Sequence, residues 1–154
     1  MINSLVKVRA SEISGTGLFA IAPIKKGTIL MKFEGMEISD KEANRLYEKE
    51  NFDYLLQISS NKFLFLDGPE KYLNHSCDPN GAFLEKSGEL IALRDILENE
   101  EIFFDYSSNE NTDFELKCNC GSPQCRKIIT PFYKLSNKQK RNIAHILTPY
   151  LRNL

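Results

Sequence analysis

Short apolar or alternating runs, separated by Gly, Ser, Asn and Pro, recur along most of this chain. Runs of this length and composition are typical of β-strands. They cover residues 6–9, 29–33, 54–58, 62–66, 82–85, 90–94 and 102–104. The third and fourth runs are joined by Ser59-Ser60-Asn61, and the fifth and sixth flank Ser87-Gly88. Each of these two pairs therefore predicts a β-hairpin.

Two capping boxes predict helices. Ser39 is followed three residues later by Glu42, which predicts a helix that continues to about Lys49. Ser136 and Gln139 form the second box. The apolar positions after it follow helical spacing, at Ile143, Ile146, Leu147, Tyr150 and Leu151. We expect this C-terminal helix to end or kink at Pro149 and its apolar face to dock onto the body of the protein.

Many short strands and few helices indicate a mainly-β fold. A chain of 154 residues, of which 42% are hydrophobic and 27% charged, is enough for one globular domain, or for one domain and a tail. No run of 18 or more apolar residues predicts a membrane span, and the first ten residues lack the apolar core of a signal peptide. We therefore expect an intracellular protein, cytoplasmic or nuclear, that has no membrane partner.

The net charge of −1 conceals an uneven distribution. Residues 116–154 contain eight Lys or Arg and no acid, whereas residues 95–115 contain eight acids and no base. The acidic stretch has two interpretations, a solvated face or a surface that steers a basic peptide toward Tyr106.

The four cysteines are candidates for a metal site. They are Cys77, Cys118, Cys120 and Cys125. A disulfide between Cys118 and Cys120 would close a very small, strained ring. Tetrahedral zinc held by four thiolates suits these residues better, and the Cys-x-Cys spacing is uncommon for an iron–sulfur cluster.

Two further strings carry the most specific signal. Asn74-His75-Ser76-Cys77-x-Pro79-Asn80 comes first, residues 100–106 end in Asp105-Tyr106, and the cysteine triplet follows. This order resembles the SET-domain protein lysine methyltransferases, which move a methyl group from S-adenosylmethionine to a lysine amine. The resemblance extends from about Leu5 to about Lys127.

The resemblance implies a β-clip-like SET fold of several short twisted sheets, in which the two strings form a pseudoknot. It divides the chain into a SET domain over residues 5–108, a zinc-binding post-SET segment over 109–130 and a C-terminal helical tail over 131–154. No cysteine-rich segment precedes Val6, so a pre-SET zinc cluster is not expected.

The resemblance also assigns residues to the methyl donor. The loop at residues 14–19 has glycines where a backbone could approach a ligand closely, but taken alone Ser14-Gly15-Thr16-Gly17 predicts an ordinary tight turn. His75 could likewise be a buried imidazole bonded to backbone. The residues that the resemblance places at S-adenosylmethionine are Gly15, Gly17, Leu18, Phe19, Asn74, His75 and Tyr106.

For the transfer itself, the resemblance makes Tyr106 the principal catalytic residue and Tyr54 a second tyrosine of the lysine channel. A lysine amine has a pKa of about 10.4, so an apolar channel must favour its neutral form. Phe104 matches the position of a Phe/Tyr switch, where Phe leaves room for di- or trimethylation. Asp105 is expected to bond the backbone nearby, and all four cysteines are expected on one structural zinc.

Two positions depart from the family pattern, and two other functions remain as alternatives. Phe33 stands where many members have Tyr, and Lys71 stands where Arg is common. The substrate we expect is a basic protein such as a histone tail, but a non-catalytic module that binds or scaffolds a lysine-rich partner is the alternative. A small zinc module that binds nucleic acid is less favoured, because the zinc-finger His pair is missing and the body is acidic.

Overall fold

The computed structural model describes residues 1–50, 54–84 and 88–154, with only the backbone described at 49 and 50. The strands are β1 Val6–Ser11, β2 Gly15–Ala20, β3 Ile29–Lys32, β4 Met36–Ser39, β5 Leu55–Ser59, β6 Lys62–Phe65, β7 Asn74–His75, β8 Gly81–Phe83, β9 Glu89–Ala92, β10 Glu101–Phe104, β11 Leu116–Lys117 and β12 Ile128–Ile129. The helices are α1 Asp40–Glu50, α2 Asn137–Ile143 and α3 Pro149–Arg152, with 3₁₀ turns at Pro69–Tyr72, Tyr106–Ser108, Phe132–Lys134 and Ala144–Ile146. The predicted mainly-β fold is confirmed.

The sheet that positions the two sequence strings has the order β1-β2-β10-β7. β7 and β10 run parallel, with Asn74 opposite Phe103 and His75 opposite Phe104. The ladder continues beyond the strands, because the Ser76 amide donates to the Phe104 carbonyl at 3.1 Å. Residues 74–76 and 103–106 therefore lie side by side, which is the adjacency that the expected pseudoknot requires.

The remaining strands form two three-stranded sheets, β3-β9-β8 and β4-β6-β5, and the hairpin β11-β12. Both predicted hairpins are present as antiparallel pairs, β5 with β6 and β8 with β9. Residues 85 and 87 of the second prediction lie outside the described residues.

The predicted glycine turn is displaced. The turn occupies residues 12–14, and β2 begins at Gly15, whose φ is +62°. A Cβ on Gly15 would meet nothing within 4 Å, whereas a Cβ on Gly17 would collide with the Glu101 carboxylate. Gly17 is therefore needed for the contact between β2 and β10 rather than for a turn.

The main hydrophobic core lies among β1, β2, β3, β9 and β10. Its fully buried side chains include Leu18, Leu30, Leu90, Ile96 and Ile102. Burial of such side chains contributes about 1.5–3 kcal/mol each and is what holds these short strands together. Within the described residues, no helix is both long and apolar enough to cross a membrane.

The C-terminal segment docks onto the body as expected, but it is not one helix. Ile143, Ile146 and Leu151 pack in a second core cluster with Ala82 of β8. α2 starts with the predicted Ser136–Gln139 capping box. The chain then turns extended at Leu147 and Thr148, and α3 restarts with Pro149 in its first turn. Proline disfavours a helical conformation in the residue before it and is well suited to a helix start, which explains the break. The division into 5–108, 109–130 and 131–154 stays a prediction.

Candidate active site

Two cavities meet at Tyr106. One has a volume of about 390 Å³ and a lining that is slightly more polar than apolar. The other has a volume of about 220 Å³ and is mostly apolar. Tyr54, Lys71, Tyr106 and Leu116 line both. A group bound in either cavity would therefore face a group bound in the other across the same four side chains.

The polar cavity is built from three parts of the chain. Its walls are the β1–β2 turn with Gly15, the β7 residues Asn74 and His75, and Lys117 with Ile129 from the C-terminal hairpin. Of the residues assigned to the methyl donor, Gly15, Asn74, His75 and Tyr106 lie in this lining. The other three, Gly17, Leu18 and Phe19, do not. Leu18 is fully buried opposite Ile102, and Phe19 pairs with Glu101 in the sheet.

The Asn74 side chain joins the β1–β2 turn to β10. Its amide nitrogen donates to the Thr16 carbonyl at 2.9 Å and to Glu101 Oε1 at 2.7 Å, and lies 3.3 Å from Ser11 Oγ. Ser11 Oγ in turn donates to Glu101 Oε2 at 2.9 Å. Asn74 is only 6% exposed. Its nitrogen thus holds the cavity wall in place, and Glu101, which sequence reasoning missed, supports that wall from behind without lining the cavity.

Tyr106 is held at both ends. Its backbone amide donates to His75 Nδ1 at 3.1 Å, and its hydroxyl donates to the Leu73 carbonyl at 3.0 Å. Its ring lies against His75 and Phe104, with ring centroids 5.2 Å and 5.0 Å away. A hydroxyl that donates one hydrogen bond still has acceptor capacity, so the phenol oxygen is chemically suited to orient an amine.

His75 is a neutral imidazole of defined tautomer. Because Nδ1 accepts from Tyr106, the proton is on Nε2, which lies 3.3 Å from Cys77 Sγ. Burial lowers the pKa of His75 to about 4, although the nearby Asp105 carboxylate opposes the shift. The 3.6 Å contact between Nδ1 and Asp105 is therefore not an ion pair at neutral pH. The expected backbone bond to a buried imidazole is present.

Asp105 is fully buried and paired. Its carboxylate accepts from both terminal nitrogens of Arg126, at 2.7 and 2.6 Å, and from the Ser107 amide at 3.0 Å. The backbone bond was expected, and Arg126 was missed. A signal existed, since Arg126 directly follows the last cysteine and is the kind of bidentate partner that a buried carboxylate requires.

The four cysteine sulfurs lie within 4.8 Å of one another, and none is in a disulfide. Cys77 Sγ and Cys118 Sγ are 3.8 Å apart. Four sulfurs around a tetrahedral zinc, each about 2.3 Å from it, are also about 3.8 Å apart. Backbone amides of Arg126 and Lys127 point at Cys77 and Cys125 sulfurs, at 3.3 and 3.4 Å, which favours thiolates.

Burial opposes ionisation of the thiols of Cys77, Cys118 and Cys120. Burial raises the pKa of Cys77 to about 11 and raises that of Cys118 as well. Burial also opposes ionisation of Cys120, but backbone donors at Cys77 and Ser122 outweigh it and lower the pKa of Cys120 to about 7. A divalent cation would reverse this balance, because its charge stabilises every thiolate around it.

The apolar cavity contains two carboxylic acids that sequence reasoning missed. Its apolar lining includes Phe33, Leu66 and Phe104, and Glu70 and Glu110 line it too. Glu70 is 3% exposed, and its Oε2 has no hydrogen-bond partner. Burial raises the pKa of Glu110, although hydrogen bonds from Thr112 oppose the rise. In the sequence, neither glutamate is distinguishable from an ordinary surface acid.

The ion pairs of the acidic stretch at residues 95–115 favour the solvated-face interpretation, and the steering of a basic peptide toward Tyr106 stays a prediction. Most of its carboxylates are engaged within the protein. Asp95 pairs with Lys25, Glu100 with Arg94, and both Asp113 and Glu115 with Lys134, while Asp105 and Glu101 are engaged as described above.

Lys71 bridges the two cavities. Its ammonium lies 5.5 Å from the Tyr54 ring centroid and 5.2 Å from that of Tyr72, within cation–π range. Tyr54 itself packs edge-on against Tyr72, at 6.2 Å between centroids. The predicted channel tyrosine therefore lies where the cavities meet, as Tyr106 does.

Comparison with known proteins gives the family. The SET domain family matches residues 15–107. Human histone-lysine N-methyltransferase 2D is 32% identical over 136 residues, covering 79% of this chain and 2% of the relative. The H3 lysine-4-specific histone-lysine N-methyltransferase of Eremothecium gossypii is 32% identical, covering 77% and 14%. The H3 lysine-9-specific enzyme of Fusarium mangiferae is 29% identical, covering 75% and 45%.

The chain thus spans less than half the length of these curated relatives. Among solved structures, the methyltransferase domain of human SETMAR superposes with a TM-score of 0.70 at 21% identity, covering 85% of this chain and 59% of that one. A structure that addresses product specificity of histone lysine methyltransferases gives 0.62 at 24% identity, covering 79% and 54%. Both support the fold. With its two motif strings adjacent and its domain matched over residues 15–107, the chain belongs to the SET-domain family.

Proposed function

We propose that this protein is an S-adenosylmethionine-dependent protein-lysine N-methyltransferase. The observation that carries the proposal is the meeting of a polar and an apolar cavity at Tyr106 and Tyr54. Methyl transfer to an amine needs the donor and the acceptor in line and close together, and needs no covalent intermediate with the protein. Two cavities that share a wall supply this arrangement.

The polar cavity fits the methyl donor. Its volume of about 390 Å³ falls in the range of about 300–1,000 Å³ usual for small-molecule sites. Lys71 and Lys117 would supply positive charge to the carboxylate of the methionine part, and Gly15 leaves its backbone open to a ligand. S-adenosylmethionine supplies the electrophilic methyl when bound.

The apolar cavity fits a lysine side chain. Phe33, Leu66 and Phe104 would remove water from the ammonium and so favour the neutral amine that can attack. Tyr106 would accept from that amine and orient it, with Tyr54 on the same boundary. Phe104 adds no hydroxyl here, so this proposal includes di- or trimethylation.

The cysteine cluster fits a structural zinc. Cys77, Cys118, Cys120 and Cys125 would fill all four positions of a tetrahedral ion and leave none for substrate. Since Leu116 and Lys117 of the segment next to the cluster line the polar cavity, the zinc would order that wall.

The names of the relatives support a histone-like substrate, because those proteins are histone-lysine N-methyltransferases specific for positions on H3. A cytoplasmic or nuclear location accompanies that proposal. The non-catalytic alternative is less favoured, since Tyr106 and both cavities are in place.

The proposal is tested by incubating the protein with labelled S-adenosylmethionine and a panel of basic proteins that includes histones. We expect label on lysines, and a loss of about 100-fold or more in Tyr106→Phe without loss of donor binding. Tyr133→Phe is the matched control, because Tyr133 is exposed and its hydroxyl bonds only a surface carboxylate. No transfer to any substrate, together with no binding of the donor, would favour the scaffold.

The methyl number is tested separately with Phe104→Tyr. The added hydroxyl would occupy space beside the amine, so we expect mass spectrometry of the product to shift from di- and trimethyl-lysine toward monomethyl-lysine. An unchanged product distribution would contradict the assigned role of Phe104.

A further inference from the structure

Cys77 is connected to the catalytic strand by a first chain of hydrogen bonds that runs through Arg126. The Arg126 amide donates to Cys77 Sγ at 3.3 Å. Both terminal nitrogens of the Arg126 guanidinium donate to the Asp105 carboxylate, and one of them also donates to Ser107 Oγ at 3.1 Å. One residue thus contacts both the cysteine cluster and the two residues that flank Tyr106.

A second chain of hydrogen bonds runs from Cys77 through His75 to Tyr106. His75 Nε2 lies 3.3 Å from Cys77 Sγ, and Nδ1 accepts from the Tyr106 amide at 3.1 Å. The two chains start at one sulfur and end at the adjacent residues Asp105 and Tyr106. They form a closed ring of contacts, which we call the Cys77 bracket: Cys77, Arg126, Asp105, Tyr106 and His75.

The bracket fixes the Tyr106 backbone but leaves its ring in the cavities. Asp105 accepts from the Ser107 amide and so caps the 3₁₀ turn Tyr106–Ser108. The Tyr106 hydroxyl reaches the Leu73 carbonyl on the opposite side. A small rotation of this turn would move the Tyr106 hydroxyl by a larger distance, because the hydroxyl lies at the far end of the side chain.

We infer that Arg126 is a positioning residue that sets the geometry of Tyr106 and makes it depend on the order of the cysteine cluster. A planar guanidinium is required, because only a fork can bond both oxygens of Asp105 while its own backbone amide stays on Cys77. The inference rests on the proposed function only in taking Tyr106 as the catalytic tyrosine.

The kinetic test compares Arg126→Met and Arg126→Lys with Arg141→Met. Arg141 is the matched control because it is also an arginine, is exposed on α2 and lies outside both cavities and the cysteine cluster. We expect Arg126→Met to lower kcat by about 100-fold, as a misplacement of about 1 Å can do, with the Kd of the donor and the metal content unchanged. Arg126→Lys should be intermediate, and Arg141→Met should match the parent.

A spectroscopic test does not depend on turnover. The six tyrosines are replaced by 3-fluorotyrosine, and the Tyr106 ¹⁹F resonance is assigned with Tyr106→Phe. We expect that resonance to shift in Arg126→Lys and on removal of metal by a chelator, and to stay unchanged in Arg141→Met.

A Tyr106 resonance that is unmoved in Arg126→Lys would overturn the inference, as would a parental kcat in a folded Arg126→Met. If Arg126→Met does not fold, Arg126→Lys decides by its resonance. If the parent transfers no methyl group, the proposed function fails, yet the resonance still tests the bracket.

Discussion

The two cavities that meet at Tyr106 are built by opposite means. The wall of the polar cavity is cross-linked by hydrogen bonds within the protein, with the Asn74 amide at their centre. The apolar cavity is shaped by packed side chains, among which two carboxylic acids lack a cationic partner within the described residues.

The hydrogen bonds of the polar wall are complete without a ligand, whereas the acids of the apolar cavity would be stabilised by a bound cation. The polar groups of the first wall are satisfied before any donor binds, so that wall contributes to the stability of the protein. A buried carboxylate without a partner costs free energy, and a cation that enters the apolar cavity would offset the cost. Mutations in the polar wall should therefore change the stability of the protein, and mutations of the acids in the apolar cavity should change the binding of lysine.

The largest effect is expected for Asn74→Ala. It leaves a half-buried carboxylate oxygen of Glu101 and the Thr16 carbonyl without their donor, which costs about 3 kcal/mol of unfolding free energy. In a chain of this size the Tm should fall by roughly 10 °C. Differential scanning calorimetry measures the change, and Asn142→Ala, at an exposed position of α2, is the control. A parental Tm in Asn74→Ala would show that the wall is not held by this amide.

A smaller effect of the opposite kind is expected for Glu70→Gln. Removing the charge removes the cost of burying it, so the protein should be no less stable than the parent. The KM for a lysine peptide should rise, by about 10-fold if the carboxylate attracts the entering ammonium, while the Kd of the donor stays the same. Glu115→Gln, at an exposed site paired with Lys134, should leave both constants unchanged. A loss of stability in Glu70→Gln would mean that the carboxylate serves the fold.

Local patterns in the sequence predicted most of the strands, α1 and the Ser136–Gln139 capping box, because each rests on neighbours a few residues apart. At Ser39 the hydroxyl accepts from the Glu42 amide at 3.3 Å, whereas the Glu42 carboxylate pairs with Arg45.

The predicted break of the C-terminal helix at Pro149 was confirmed, because proline acts on the residue before it. The restart of a helix, α3, with Pro149 in its first turn was not predicted. The turn at Gly17 was wrong, because the need for glycine there comes from Glu101, which is distant in sequence.

The residues of the candidate site also divide into those that a local sequence pattern reveals and those that only the fold reveals. Tyr106, Tyr54, Asn74 and the cysteines were identified because short strings carry them. Arg126, Glu70 and Glu110 were missed, since each matters only through a contact that the fold creates: a carboxylate 21 residues earlier for Arg126, and burial in a shared cavity for the two glutamates.

The smallest effect is expected for Glu110→Gln, and it is a change in how stability depends on pH. Burial raises the pKa of Glu110 above its ordinary value of 4.5, so the native protein holds this proton more tightly than the unfolded chain does. The associated stability is fully present below pH 4.5 and is lost as the pH rises through the native pKa. Glu110→Gln cannot titrate, so its unfolding free energy relative to the parent should increase between pH 4.5 and neutrality, whereas Glu115→Gln should show no such trend. Urea melts across this range measure the difference. A constant difference at every pH would mean that the pKa of Glu110 is the same in the native and the unfolded protein, and that the apolar cavity is wetter than its lining indicates.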